Sequence, residues 1–147
     1  MKKILIVVAA VLALAACKTN DKKATGGNLT PEEIEKAKND SANFTTIEWI
    51  DPVTQNLGLL KKDQEIEITY RFKNSGNKIL IIENVTAGCG CTIPEKPEKP
   101  FAPGEEGVIR AKFNGSGHGT ISKTVTVIAN TTPQKEHTLT FTGEIKE

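Results

Sequence analysis

From Phe44 onward the apolar residues recur at every second position and never at the three-to-four spacing of a helix, which confines this part of the chain to β-structure. The clearest case is Glu65 to Lys73. There Ile66, Ile68, Tyr70 and Phe72 alternate with Glu67, Thr69 and Arg71, as a strand with one buried and one wet face requires. Similar short segments run from Val108 to Phe113, Ile121 to Ala129 and His137 to Ile145. Phe44 to Ile50 and Gln55 to Leu60 read as edge strands. Lys78 to Val85 differs, because Ile79-Leu80-Ile81-Ile82 is a continuous apolar run that predicts a central strand buried on both faces. Gly, Asn and Pro interrupt the segments about every 8–12 residues, the spacing of an all-β sandwich. The expected fold is all-β: an immunoglobulin-like antiparallel β-sandwich of about seven strands, whose strand order the sequence does not encode. Two further stretches read as scaffold: a tight turn at Ala102 to Gly107, and the stiff charged connector Glu95-Lys96-Pro97-Glu98-Lys99-Pro100, whose prolines block ladder pairing.

The start of the chain reads differently. Met1-Lys2-Lys3 is a basic opening, Ile4 to Ala16 a 13-residue apolar stretch, and Leu14-Ala15-Ala16-Cys17 brings small residues up to a cysteine, the layout of a cleavable secretory signal. The stretch falls short of the roughly 20 apolar residues that cross a bilayer. It resembles the lipobox of bacterial lipoproteins, which implies that residues 1–16 are removed and that the thiol of Cys17 carries a diacylglyceryl group. Lys18, not the aspartate that marks inner-membrane retention in enterobacterial lipoproteins, makes the expected location the outer membrane of the cell envelope.

Lys18 to Asn28 is polar, contains Gly26-Gly27 and lacks apolar periodicity, so it is expected to act as a flexible spacer. Thr30-Pro31-Glu32-Glu33 is a capping box with proline at the first helical position, and it predicts a helix of about nine residues, marginal by itself and read as a stalk without a partner. The chain thus divides into residues 1–16, a lipidated spacer with a short helix at 17–43, and one domain at 44–147 of a size to hold a single core.

Charge names no electrostatic partner. The chain has 19 basic and 18 acidic side chains, and cleavage behind Ala16 removes Lys2 and Lys3. No basic stripe with interleaved aromatics exists, so nucleic acid is not an expected partner. Asn43-Phe44-Thr45 and Asn130-Thr131-Thr132 match the N-glycan triplet, against which the bacterial-type leader argues. Asp40-Ser41-Ala42 is similar to the short signal for O-glycosylation of exported Bacteroidetes proteins, which makes Ser41 a candidate acceptor.

With Cys17 assigned to lipid, Cys89 and Cys91 remain, two positions apart in an exported, disulfide-permissive setting. Three readings stay open. Both sulfurs of an extended Cys-Gly-Cys face one side and suit a soft ion such as Cu(I), with His118 or His137 the only imidazoles available. A disulfide needs a tight turn, and thiol exchange then follows as a function. Simple fixing of a loop is the third. Two histidines and no nucleophile elbow leave no nucleophile, base and orienter to name together, so no enzyme is expected. The expected partners are the membrane, through the lipid, and a protein or glycan met by the loops or an edge strand.

Several elements together carry a family resemblance: Trp49-Ile50-Asp51, Leu57-Gly58, Phe72-Lys73-Asn74-Ser75-Gly76, Gly88-Cys89-Gly90-Cys91-Thr92, Pro103-Gly104-Glu105, Asn130 and Gly143. Over about residues 44 to 145 the chain resembles the DUF1573 family. The resemblance implies a small exported or lipid-anchored protein of Bacteroidetes or related bacteria with an immunoglobulin-like sandwich. It implies no particular activity.

Overall fold

The structure, a computed structural model, describes residues 29–146. The expected signal segment, Cys17 and the spacer lie outside the described residues. A helix, α1 (Pro31–Asn39), and a 3-10 turn (Ser41–Asn43) precede eight strands: β1 (Ile47–Trp49), β2 (Thr54–Lys61), β3 (Ile66–Asn74), β4 (Ile82–Ala87), β5 (Thr92–Glu95), β6 (Glu106–Phe113), β7 (Gly119–Ala129) and β8 (Glu136–Lys146). They form two four-stranded sheets ordered β1-β3-β6-β5 and β2-β8-β7-β4.

The period-2 pattern does what it predicted. Ile68, Tyr70 and Phe72 of β3, Ile109, Ala111 and Phe113 of β6, Val125 and Val127 of β7, and Leu139 and Phe141 of β8 all turn into one core between the sheets. Aromatic rings fill its centre. Phe72 meets Phe101 edge-on at 5.0 Å and Trp49 at 5.8 Å, and Phe113 meets Phe141 at 5.5 Å, geometries that add to the area they bury. Tyr70 links the sheets by donating its hydroxyl to the carbonyl of Thr140 at 2.8 Å, and burial pushes its phenol up to about 12, so it stays a neutral donor.

Four expectations change. The strands number eight because Thr92 to Glu95, beside the proline-rich connector, pairs with β6; Pro94 is accommodated since β5 lies at a sheet edge. The sandwich is not wholly antiparallel, for β2 runs parallel to β8. The apolar run Ile79 to Ile82 is no central strand: β4 begins only at Ile82 and is an edge. Its burial comes from crossing between the sheets, where Leu80 exchanges both backbone hydrogen bonds with Phe101, at 2.9 and 2.8 Å, and the Ile81 N–H donates to Asn130 Oδ1 at 2.7 Å.

The helix is the fourth change. Its capping box forms as expected, Thr30 Oγ1 accepting from the Glu33 N–H and the Glu33 carboxylate from the Thr30 N–H. It does not hang free. The last carbonyls of a helix lack partners within it, and here the sandwich supplies them: Asn130 Nδ2 donates to Ala37 O at 3.2 Å and Lys135 Nζ to Lys38 O at 3.3 Å. Ala37 is buried at this contact. Lys135 also pairs with Glu83 at 2.9 Å and lies 5.2 Å over the Phe44 ring, so one cation pins helix, linker and β4 together.

Candidate functional site

Two places in this frame bring reactive or charged groups together near the surface. The first is the turn between β4 and β5, where the chain passes from one sheet to the other. Gly88 N–H donates to Thr124 O at 3.1 Å, and Thr92 N–H donates back to Cys89 O at 3.3 Å, closing a tight turn. That turn holds the Cα atoms of Cys89 and Cys91 5.3 Å apart, and the two sulfurs are joined in a disulfide. Cys91 packs against the core and its carbonyl accepts from Asn114 N–H at 3.0 Å, whereas Gly88 and Gly90 are exposed. Thr92 is buried, and its hydroxyl oxygen lies 3.9 Å from Cys89 Sγ and 4.0 Å from Cys91 Sγ.

A Cu(I) ion would need both thiols free, and the disulfide ties them up. Among the described residues no three His, Cys, Asp or Glu side chains come together to hold a metal ion. His118 is exposed on the loop before β7. His137 serves packing: on β8 its Nε2 lies 2.8 Å from Thr131 Oγ1 and its ring meets Trp49 edge-on at 6.0 Å. Burial lowers the His137 pKa, since it disfavours the imidazolium. The unfolded chain therefore takes up a proton near pH 6.5, before the folded one does, and folding stability falls as pH drops through that value until the lowered folded pKa is passed. The thermal midpoint should decline between pH 7.5 and 5.5 by more in the parent than in His137→Gln; equal declines would place the titration elsewhere.

The second place is an open groove of about 550 Å³ where the chain leaves β1 for β2, lined by Asp51, Pro52, Thr54, Gln55, Asn56, Thr69 and Arg71. Arg71 Nη2 and Nε bond the Asp51 carboxylate at 2.6 and 3.1 Å, and the Arg71 backbone N–H adds a bond at 2.8 Å. Those bonds from Arg71 hold the Asp51 carboxyl below its usual range. Ile50 and Val53, next to groove residues in sequence, are large apolar side chains left exposed. The sequence does not show this groove, because its ion pair joins residues 20 apart, one in the link after β1 and one on β3; the Trp49-Ile50-Asp51 element is its only visible trace. Ser41 is exposed on the 3-10 turn, which Asp40 caps by accepting from Ala42 N–H at 3.0 Å and Asn43 Nδ2 at 3.1 Å.

Strand order, two packed sheets and one inter-sheet core together define an immunoglobulin-like sandwich. The chain belongs to a family described as protein of unknown function, DUF1573, whose model matches residues 47–145. Its fold is similar to that of a protein of unknown function from Porphyromonas gingivalis W83, with a TM-score of 0.61 and 16% identity over 71% of this chain and 48% of that one. PapD-like domain 7 of human CEP192 is similar at a TM-score of 0.55 and 12% identity, over 71% of this chain and 88% of the domain. The Vibrio cholerae VesB protease is similar at 0.54 and 12% identity, over 76% of this chain and 34% of VesB. At these identities the likeness is one of fold, and this chain spans about half of the Porphyromonas protein and a third of VesB. No curated protein matches the chain.

Proposed function

We propose that the protein is a lipid-anchored lipoprotein of the cell envelope, held at the outer membrane through Cys17, whose immunoglobulin-like domain is a binding module for an exported protein or glycan. The observation that carries the binding half is the groove beside Asp51 and Arg71. The sheet edges are poor docking sites, because each carries a guard against strand addition. β1 is three residues long, β5 contains Pro94, and β2 and β4 are interrupted by register shifts at Asn56/Leu59 and Ile82/Asn84. The groove, by contrast, offers amide, hydroxyl and charged groups flanked by exposed Ile50 and Val53, the mixture that recognises a polar ligand with an apolar face. The anchoring half rests on the residues up to Cys17 and on energetics: each buried methylene contributes about 0.8 kcal/mol, and two or more acyl chains hold where one does not.

A photo-crosslinking residue at Thr54, introduced into the full chain in its native envelope, should give a discrete protein or glycan adduct that Arg71→Glu diminishes, while the same residue at exposed Glu98 gives none. No adduct at Thr54 removes the groove as a binding face. In the same cells Cys17→Ala should move the protein from the detergent phase to the aqueous phase; unchanged partitioning defeats the anchor. Glycosylation at Ser41 belongs to the same exported reading and is read as a mass increment lost in Ser41→Ala.

A second reading is carried by the Cys89–Cys91 bond itself, which lies in a turn with exposed glycines on both sides of Cys89. It makes the domain an envelope thiol protein, exchanging disulfides in this oxidised form or binding Cu(I) once reduced.

A further inference from the structure

We infer that the Cys89–Cys91 disulfide accepts electrons from a dithiol on another exported protein, with Cys89 the sulfur attacked and Cys91 the leaving group. This rests on the thiol reading and adds to it the substrate class and the direction of attack.

The fold has little use for the bond. Its closed loop spans three residues, and loop-closure stabilisation grows with loop length, so this is near the smallest contribution a disulfide can make. The turn is in any case closed without it, by Thr92 N–H to Cys89 O and by Gly88 N–H to Thr124 O. The β4 and β5 ends on either side are held by their own ladders to β7 and β6. Opening the bond therefore leaves the scaffold intact, as exchange in the folded state demands.

The surroundings of the two sulfurs differ. Both cysteines are half-buried, but Cys91 packs against the core and is tied by its carbonyl to Asn114, whereas Cys89 is not part of that packing and sits between two exposed glycines. A Cβ added to Gly90 would meet no atom within 4 Å, so the outer side of the turn is bare to an incoming chain. Behind the sulfurs, the buried Thr92 hydroxyl is within sulfur hydrogen-bond reach of both and can donate to whichever becomes a thiolate, lowering the cost of departure.

The steps balance. A partner thiolate attacks Cys89 Sγ, the S–S bond breaks, its electron pair passes to Cys91 Sγ, and that sulfur takes a proton from solvent. The partner's second thiol, deprotonated, then attacks its own bonded sulfur and expels Cys89 as a thiolate, which is protonated in turn. The partner dithiol loses two electrons and two protons and becomes a disulfide; Cys89 and Cys91 gain both.

The test uses the full chain with Cys17→Ala, so that only this pair remains. Incubated folded with an equimolar reduced Cys-x-x-Cys peptide, it should form up to one peptide disulfide per chain, with matching alkylation of Cys89 and Cys91 seen by mass spectrometry. Adding Cys91→Ser leaves Cys89 as the lone thiol, and adding Cys89→Ser leaves Cys91. The first should react with an aromatic disulfide at least about tenfold faster than the second, as a thiol outside the core packing does. If the folded chain stays oxidised until urea is added, the thiol reading falls with the inference. If it is reduced but the lone thiols react at equal rates, only the assignment of Cys89 falls. If it is reduced by small thiols but not by the peptide, the protein-dithiol substrate is overturned and an accessible thiol pair stands.

Discussion

Asn130→Ala is expected to destabilise the domain by about 4 kcal/mol, lowering the thermal midpoint by roughly 15–30 °C. Asn130 is fully buried between β7 and β8, a place where an amide survives only if its hydrogen bonds are made. Its Oδ1 accepts from Ile81 N–H at 2.7 Å, and Nδ2 donates to Ile79 O at 2.9 Å and Ala37 O at 3.2 Å. One side chain thus satisfies backbone groups from the inter-sheet crossover and from the end of α1. Removing it strands a donor and two acceptors, and each buried orphan costs about 1–3 kcal/mol, less where water can enter. Urea denaturation measures the loss, and trypsin should cut at Lys36 and Lys38 early in the variant, because α1 has lost a tether. Asn130→Asp separates hydrogen bonding from cavity formation. It keeps the volume and the acceptor for Ile81 but turns a carboxylate oxygen toward two carbonyls, so at neutral pH it should be no better than alanine, and it should recover as acid supplies the missing proton. A loss below about 1 kcal/mol for Asn130→Ala would show that the crossover and the helix are held by other means.

Asn130 also marks the limit of what the sequence discloses. Strand burial was legible because each strand carries its own period: Ile68, Tyr70 and Phe72 announce the inward face of β3 without reference to any other element. Asn74 continues that phase and is fully buried, yet Asn-Ser-Gly-Asn reads locally as a turn. What admits it is largely distant: the Thr45 hydroxyl at 2.9 Å and the Phe101 carbonyl at 2.9 Å join the nearby Lys78 carbonyl at 2.8 Å. The helix misled for the same reason, since its partners Asn130 and Lys135 stand 93 and 97 residues away. Ile79 to Ile82 misled in the opposite sense: an apolar run states that a segment is buried but not whether a ladder or a crossing between layers buries it. At the cysteines, spacing narrowed the chemistry to three readings, and only the turn made by Gly88 and Thr92 backbone bonds distinguished a linked pair from an extended one. The Asp51–Arg71 groove had no local signature, because its parts come from β2, β3 and the link before β2 and lie at the surface, where composition varies freely.

Gly107→Ala, a single added methyl, should cost about 3 kcal/mol, near the upper end for overpacking a core. Gly107 stands opposite Phe72 in the β3–β6 ladder. A Cβ built there falls 2.5 Å from Phe101 Cε1 and 2.5 Å from Phe72 Cζ. Neither ring can yield cheaply: Phe72 is fully buried and edge-on to both Trp49 and Phe101, and Phe101 is tied through its backbone to Leu80 and Asn74. The methyl must therefore push two rings off their rotamers or part the strands that carry them. Gly90→Ala is the control, since its added carbon meets nothing within 4 Å and should change stability by no more than about 0.5 kcal/mol. A double-mutant cycle isolates the clash. Phe101→Leu alone loses packing, but in that background Gly107→Ala should cost at least about 1 kcal/mol less than in the parent, because the smaller side chain vacates space the methyl needs. Strict additivity would mean that the penalty arises from Phe72 or from the β6 backbone, and the same cycle with Phe72→Leu would then tell those two apart.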